Sequence, residues 1–298
     1  MLGAKAPSSR RSRPRCSMSD EPKAVCGTCP RHCRLAEGEL GLCRARRAKG
    51  GCVVSDNYGK ITSLALDPIE KKPLSYFHHG SKILSVGSYG CNLRCPFCQN
   101  DSISQSGESD VCFNTATPLQ LADAALQLKD KQGNIGIAYT YNEPLVGWEF
   151  VRDCSKAVHE RGMLNVLVSN GCVEKSVAEE LAPLIDAANI DLKGPSQKFY
   201  DWTGGDFEAV CRTIKTLHDA GCHVEVTTLI VPGHNDKTED IASIASFIAS
   251  VSPDMPFHVT RFFPRFQMSD ASPTPVATIR HLADVAGRQL KRVVIGNC

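Results

Sequence analysis

From Lys82 onward, short apolar runs alternate with longer amphipathic ones, and few architectures tolerate that rhythm. Candidate strands lie at 83–86, 135–140, 164–169, 187–192, 222–231, 257–263 and 292–295. Candidate helices lie between them at 118–130, 146–161, 175–182, 207–220, 240–251 and 275–290. In the first of these helices Leu119, Leu121, Ala122, Ala125, Leu126 and Leu128 recur at helical spacing, and Gly162 and Gly221 stand where glycine ends a helix. Six strand–helix units of about 35 residues, with a strand left over, are too few for a closed eight-unit barrel. The expected fold is therefore α/β, a partial (β/α)6 TIM-like barrel over residues 82–298. In parallel barrels the chemistry gathers at the C-terminal ends of the strands, so the residues that follow each strand carry the most weight. A gap in the wall would admit a large substrate.

The loop after the first strand carries Tyr89, Gly90, Cys91, Asn92, Leu93, Arg94, Cys95, Pro96, Phe97, Cys98, Gln99 and Asn100. Its C-x3-C-x2-C spacing lets three thiolates turn to one soft metal centre. A cubane iron–sulfur cluster takes four cysteine ligands, and three protein ligands leave a position open, as catalytic metal sites do. Cys112 follows a polar stretch and is not expected to reach back as a fourth. A zinc knuckle or buried structural thiols fit less well, because zinc sites favour C-x2-C pairs and four protein ligands.

A second group, Cys26, Cys29, Cys33 and Cys43, lies upstream among Gly27, Pro30, Gly38 and Gly41. Four thiolates in so short a stretch can staple a cysteine-rich module, residues 21–50, that is too small for a core of its own. Zinc and a second iron–sulfur cluster both suit four cysteines, with His32 as a further candidate. The redox chemistry implied downstream favours an auxiliary cluster. The chain has 15 cysteines, an odd number with no signal peptide. That argues against a disulfide framework and for metal binding in a reducing, cytoplasmic setting. Arg44, Arg46, Arg47 and Lys49 follow Cys43. Such a run is ordinarily a solvated face; as a functional feature it suggests a docking patch for an acidic electron donor such as flavodoxin or ferredoxin.

Composition sets outer limits. The 298 residues, 42% of them hydrophobic, suit one large domain with an appendage. No run of eighteen apolar residues occurs, so no membrane-spanning helix is expected. Net charge is +2, but Lys5, Arg10, Arg11, Arg13 and Arg15 all precede Cys16; without these five of the 34 basic residues, 29 face 32 acidic ones. A body so close to neutrality gives no electrostatic case for nucleic acid as a partner. Residues 1–20 are expected to be a disordered basic tail rather than a targeting segment, since they lack an amphipathic apolar face and Met18 reads as a second start. Residues 51–81 read as a connecting segment.

The strand ends complete a pattern. Thr140, Tyr141, Asn142, Glu143 and Pro144 follow the second strand, Ser169, Asn170 and Gly171 the third, Asp191, Leu192 and Lys193 the fourth, and Val231, Pro232, Gly233, His234, Asn235 and Asp236 the fifth. Taken singly, Glu143 is a loop acid, Asp191 and Lys193 pair on a solvated edge, Ile230 and Val231 belong to a buried strand, and His234 is a loop residue. Together with the cysteine loop they resemble the radical S-adenosylmethionine (SAM) enzymes, in particular the activases of glycyl radical enzymes such as pyruvate formate-lyase activating enzyme. That resemblance implies a [4Fe–4S] cluster on Cys91, Cys95 and Cys98, with an open iron that chelates the methionine moiety of S-adenosylmethionine. It implies a cofactor site that includes Phe97, with Asn142 and Glu143 in the place of a Gly-Gly-Glu-Pro motif that receives the methionine amino group. Ser169 and Asn170 would hydrogen-bond the ligand, Asp191 would hold a monovalent cation, Lys193 would meet the methionine carboxylate, and Ile230 and Val231 would pack on adenine. Tyr141 and Asn142 depart from the two glycines.

Residues 67–74 and 102–105, Cys98 to Asn100, Tyr139 to Pro144, and Arg261 to Pro264 with Pro273 to Pro275 further resemble the radical SAM enzyme of the AmmeMemoRadiSam system, over about residues 26–297. The implied activity is reductive cleavage of S-adenosylmethionine to a 5′-deoxyadenosyl radical that abstracts hydrogen, either to activate a glycyl radical enzyme or to modify a partner protein or RNA. Memo-like and AMMECR-like proteins are the implied partners. The competing reading is a non-catalytic iron- or zinc-binding scaffold for the same partners. No Ser/His/Asp triad or phosphate-cradling glycine loop stands out, so hydrolytic chemistry is not expected.

Overall fold

The computed structural model describes residues 23–298; the tail expected at 1–20 lies outside the described residues. Short antiparallel pairs tie the first part of the chain, β1 (Ala24–Val25) with β2 (Arg34–Leu35) and β3 (Arg46–Lys49) with β4 (Cys52–Ser55). β5 (Lys60–Ile61) precedes a longer antiparallel pair, β6 (Ser63–Pro68) and β7 (Lys82–Gly87). After the cysteine loop come α1 (Asp101–Ser104), β8 (Asn114–Thr115), which pairs with β5, and α2 (Pro118–Gln132). Strands and helices then alternate as β9 (Asn134–Tyr139), α3 (Trp148–His159), β10 (Leu164–Ser169), α4 (Lys175–Leu181), β11 (Ala187–Asp191), α5 (Gln197–Thr203), α6 (Phe207–Asp219), β12 (His223–Ile230), α7 (Thr238–Val251), β13 (Phe257–Arg261), α8 (Val276–Ala286) and β14 (Val293–Gly296).

One eight-stranded sheet runs β14-β13-β12-β11-β10-β9-β7-β6. Every neighbouring pair is parallel except β6 and β7. β14 and β6 remain edges, so this is the incomplete parallel barrel that the strand–helix rhythm implies, and β14 is the strand left over. β6 is the addition: residues 51–81, expected to be only a connection, supply an antiparallel edge. Its side chains are exposed or half-buried throughout, so no apolar face announces it.

Both faces of the parallel strands from β7 to β13 are covered, which is why they read as near-continuous apolar runs, whereas the edge strand β14 is half-buried to exposed. Leu84, Val86, Ile137, Tyr139, Leu167, Ile190, Val226 and Val259 belong to the core shared with the helices. The alternate residues Ile83, Ala138, Val166 and Ala187 face inward and pack with Ile69 and Leu74. The chain between β6 and β7 thus fills the concave side of the sheet. Glu225 on β12 anchors it: the fully buried carboxylate accepts from His258 Nε2 at 2.6 Å, His223 Nε2 at 2.9 Å, and the N–H groups of Tyr76 and Ser75 at 2.8 and 3.0 Å.

The N-terminal module is pinned to α3. Arg46 is buried and donates to both carboxylate oxygens of Glu149, at 2.7 and 2.9 Å, and to Val146 O at 3.1 Å. Arg47 pairs with Asp56 at 2.6 Å and Arg44 with Asp110 at 3.1 Å. This corrects the solvated face expected of the run at one position: Arg44 and Lys49 are exposed, Arg47 is half-buried, and Arg46 is out of solvent. Among the described residues no helix is long and apolar enough to cross a membrane.

Burial alone would lift the Glu225 carboxyl, but its four donors outweigh burial and bring the pKa from 4.5 down to about 2. A depressed carboxylate contributes stability that is complete above its unfolded value and is lost as pH falls through the folded one. Glu225→Gln is expected to cost about 2–3 kcal/mol at neutral pH. It should also flatten the acid-side decline between pH 4.5 and about 2, measured by urea unfolding of metal-free protein; parallel declines in the two proteins would contradict this.

Candidate metal and cofactor site

β7 delivers the chain through Ser88, Tyr89 and Gly90 into Cys91. Gly90 has φ +87°, and a Cβ on it would lie 2.5 Å from Cys43 O and 2.7 Å from the Ala45 Cβ. Only glycine lets the loop press so closely on the module. Beside it Cys91 N–H donates to Cys43 O at 3.2 Å, so the last cysteine of the first group touches the first cysteine of the second.

Burial is the largest influence on all three loop thiols. It pushes Cys91 far above the ordinary thiol range, with Glu143, Cys95 and Cys98 adding to the effect. It pushes Cys95 to about 11 against the pull of Lys193, and raises Cys98 against the Asn100 N–H and Lys193. Thiols that raise one another in this way ionise only beside a strong positive centre. Leu93 N–H donates to Cys91 Sγ at 3.3 Å and Asn170 Nδ2 at 3.6 Å, the kind of contact that tunes cluster-bound sulfur. Among the described residues no three His, Cys, Asp or Glu side chains are set to hold a single ion; a cubane, whose ligands sit on separate irons, makes no such demand. The donor set fits a three-cysteine cluster. Cys112 is exposed.

The residues named from the strand ends do converge, though chiefly on one another. Glu143 is buried; its Oε1 accepts from Ser169 Oγ at 2.7 Å and Leu145 N at 2.9 Å, and its Oε2 from Asn170 N at 2.7 Å. Burial lifts its pKa to about 7 against those donors, and Asp191 adds to the rise. Glu143 therefore staples the end of β9 to the end of β10. Asn142 works in the same way: its Oδ1 accepts from Ser88 N at 2.9 Å, and its Nδ2 donates to Tyr89 O and Gly90 O, both at 3.1 Å. Asn170 Nδ2 also reaches Asn92 Oδ1 at 2.9 Å.

At the end of β11 Lys193 Nζ lies 2.8 Å from Asp191 Oδ2. The pair is real, but its lysine, 16% exposed, is not on a solvated edge. Burial would lower the Lys193 pKa; the charges of Asp191 and Cys95 outweigh it and raise it. Phe97 is buried and lies 5.3 Å from the ring of Trp202. Trp202, on α5, stacks on His234 with centroids 3.7 Å apart. Ile230 and Val231 are fully buried in the helix-side core, as a buried strand requires. In the module Cys26, Cys29 and Cys43 are buried and Cys33 half-buried. Cys33 Sγ and Cys43 Sγ both lie 3.8 Å from where a Gly41 Cβ would stand. Burial raises Cys29 and brings Cys43 to about 11, and neighbouring cysteines of the module add to both. His32 is not aimed at a metal: its Nε2 lies 3.2 Å from Glu174 and its Nδ1 3.4 Å from Cys26 O.

Sequence reasoning missed Asn92, Trp202 and Asn100. Asn92 is buried and donates to Cys172 O at 2.6 Å, and Asn100 Nδ2 donates to Tyr141 O at 2.8 Å. The signal for Asn92 is its place beside Cys91, and for Asn100 its place in the resembling stretch Cys98 to Asn100; Trp202, on the short helix α5, had none.

The family model of the radical SAM superfamily matches residues 85–248, from β7 into α7. The chain belongs to that superfamily. An uncharacterized protein of Methanocaldococcus jannaschii is 39% identical over 280 residues, covering 93% of this chain and 82% of the relative. The indoleacetate decarboxylase activating enzyme of Tractidigestivibacter scatoligenes is 26% identical, covering 78% of this chain and 76% of the relative. Among solved structures, Streptococcus suis SuiB bound to S-adenosylmethionine superposes with a TM-score of 0.55 at 16% identity, over 70% of this chain and 48% of SuiB. That likeness concerns the fold alone. Replacing Asn142 by Ala strands the Ser88 N–H and leaves Tyr89 O to Asn57 Nδ2 and Gly90 O to Glu143 N–H; this radical SAM protein is expected to lose about 1–3 kcal/mol of stability and to take up less iron on reconstitution, measured by unfolding and iron assay. Wild-type values for both would contradict the role given to Asn142.

Proposed function

We propose that this radical SAM protein binds a [4Fe–4S] cluster through Cys91, Cys95 and Cys98 and cleaves S-adenosylmethionine reductively. Held by those three thiolates, the cluster would supply the single electron that reductive cleavage needs, the products being methionine and a 5′-deoxyadenosyl radical for hydrogen abstraction from a substrate. What carries the reading is a three-cysteine loop at the C-terminal rim of an open parallel barrel in a member of this superfamily.

The chain's own residues then have distinct tasks. Lys193, held by Asp191 and beside Cys95, offers a cation to the methionine carboxylate, and Asp191 is the acid available to a monovalent cation. Ser169, Asn170 and Glu143 lock two strand ends together, while Asn142 fixes the loop. Phe97 and Trp202 form an aromatic shelf on the same rim suited to a nucleoside base. The buried walls keep water from a reactive radical.

The hydrogen donor we infer is a protein, either a glycyl radical enzyme or another partner. The activating-enzyme relative supports the first, and the resemblance to the AmmeMemoRadiSam enzyme supports Memo-like and AMMECR-like partners. Cys26, Cys29, Cys33 and Cys43 are proposed to hold an auxiliary cluster, with flavodoxin or ferredoxin as electron donor in the cytoplasm. Anaerobic incubation of reconstituted protein with dithionite and S-adenosylmethionine should yield 5′-deoxyadenosine and methionine in equal amounts, and Cys95→Ala should abolish both. No product from protein with a full cluster would favour a binding scaffold instead. A variant with Cys91, Cys95 and Cys98 all changed to Ala should retain iron and sulfide; about one equivalent of zinc and no iron would assign the module to zinc.

A further inference from the structure

Tyr141 stands where glycine is comfortable and an aromatic is not, at φ +74° in the left-handed region. Such a conformation persists only where its surroundings over-determine it. Three segments do so here. The phenol donates to Asp67 Oδ2 at 2.6 Å, and Lys72 Nζ lies 2.8 Å from the same oxygen and 4.7 Å from the centre of the Tyr141 ring. Asn100 Nδ2 holds the Tyr141 carbonyl at 2.8 Å. Lys72 is 2% exposed. A buried ion pair adds little stability over a well-packed apolar pair, so core stability alone does not account for a charged lysine here. The Asp67 carboxyl, which burial would raise, is brought down to about 2 by Lys72 and Tyr141, so it stands as a carboxylate at neutral pH, while burial lowers the Lys72 pKa against the pull of Asp67.

The geometry of this turn reaches both ends of the cysteine loop. Asn142, the next residue, holds Ser88, Tyr89 and Gly90 on the way into Cys91, and Asn100, two residues past Cys98, holds Tyr141 itself. The ring also occupies the space over the last residue of β7, where a Cβ on Gly87 would lie 2.9 Å from it. We propose that Tyr141, locked by Asp67 and Lys72, is a positioning residue that sets the loop from Cys91 to Cys98 in the arrangement that receives S-adenosylmethionine. The lock comes from β6 and the segment on the concave face, outside the residues 85–248 matched to the superfamily. This inference rests on the radical SAM reading.

Tyr141→Phe keeps the ring and its cation contact and removes only the phenol donor; Asp67→Asn removes the acceptor's charge; Tyr141→Gly suits the backbone and removes the lock. S-adenosylmethionine is titrated into each reduced, reconstituted protein while the electron paramagnetic resonance spectrum is followed, with iron content and unfolding midpoint measured in parallel. Tyr141→Phe and Tyr141→Gly are expected to keep wild-type iron and to need about tenfold more S-adenosylmethionine for the half-maximal spectral change. Asp67→Asn should show the same shift. A purely structural role would lower the unfolding midpoint and leave half-saturation where it is in Tyr141→Phe and Tyr141→Gly; that result overturns the inference, whatever happens to Asp67→Asn. A wild-type protein whose spectrum ignores S-adenosylmethionine would instead remove the radical SAM reading, and this inference with it.

Discussion

One buried and two half-buried thiols on a single short loop raise the free energy of the fold when ionised unless a positive centre shares their space. Most of the architecture answers to that constraint. Gly90 lets the loop lie against Cys43, Leu93 and Asn170 turn N–H groups toward Cys91, and Lys193 brings a cation to Cys95 and Cys98. The loop has no regular hydrogen-bonded ladder of its own, so its shape is borrowed from Asn142, Asn100 and Asn92, each a buried or half-buried amide bonded to distant backbone.

The barrel in turn explains why those amides stand where they do. Parallel strands end on one rim, and the turns after β9, β10 and β11 bring Asn142, Asn170 and Lys193 to it. Glu143 stiffens this rim by spending its carboxylate on two neighbouring turns. Polar groups so deeply buried are costly unless fully bonded. The module contributes from the other side, held by Arg46 on Glu149 and by the backbone contact between Cys43 and Cys91.

Much of this was legible in the chain itself, for local reasons. β9 to β13 are largely buried on both faces, so each leaves an apolar run, and three cysteines within eight residues announce themselves by spacing alone. β6 has no apolar face to show, and α5 has seven residues, too few for a periodic signal. Within the basic run after Cys43 only Arg46 was misread, because composition cannot tell a solvated arginine from one whose partner lies 103 residues away. Asn142 and Glu143 were found by position, but their tasks depend on contacts that sequence spacing does not encode. Asp67 and Lys72 were visible only as part of a resemblance; their meeting with Tyr141 is a matter of tertiary packing.

Direct ligation of a small sulfonium compound by an iron that no cysteine holds is the claim on which the functional reading depends. Electron–nuclear double resonance on the reduced, reconstituted chain, with S-adenosylmethionine isotopically labelled at its amino nitrogen, measures it. The expected result is a hyperfine coupling between the label and the cluster that disappears when Cys95 is replaced. A fully loaded, reduced cluster with no coupling to the label would contradict it.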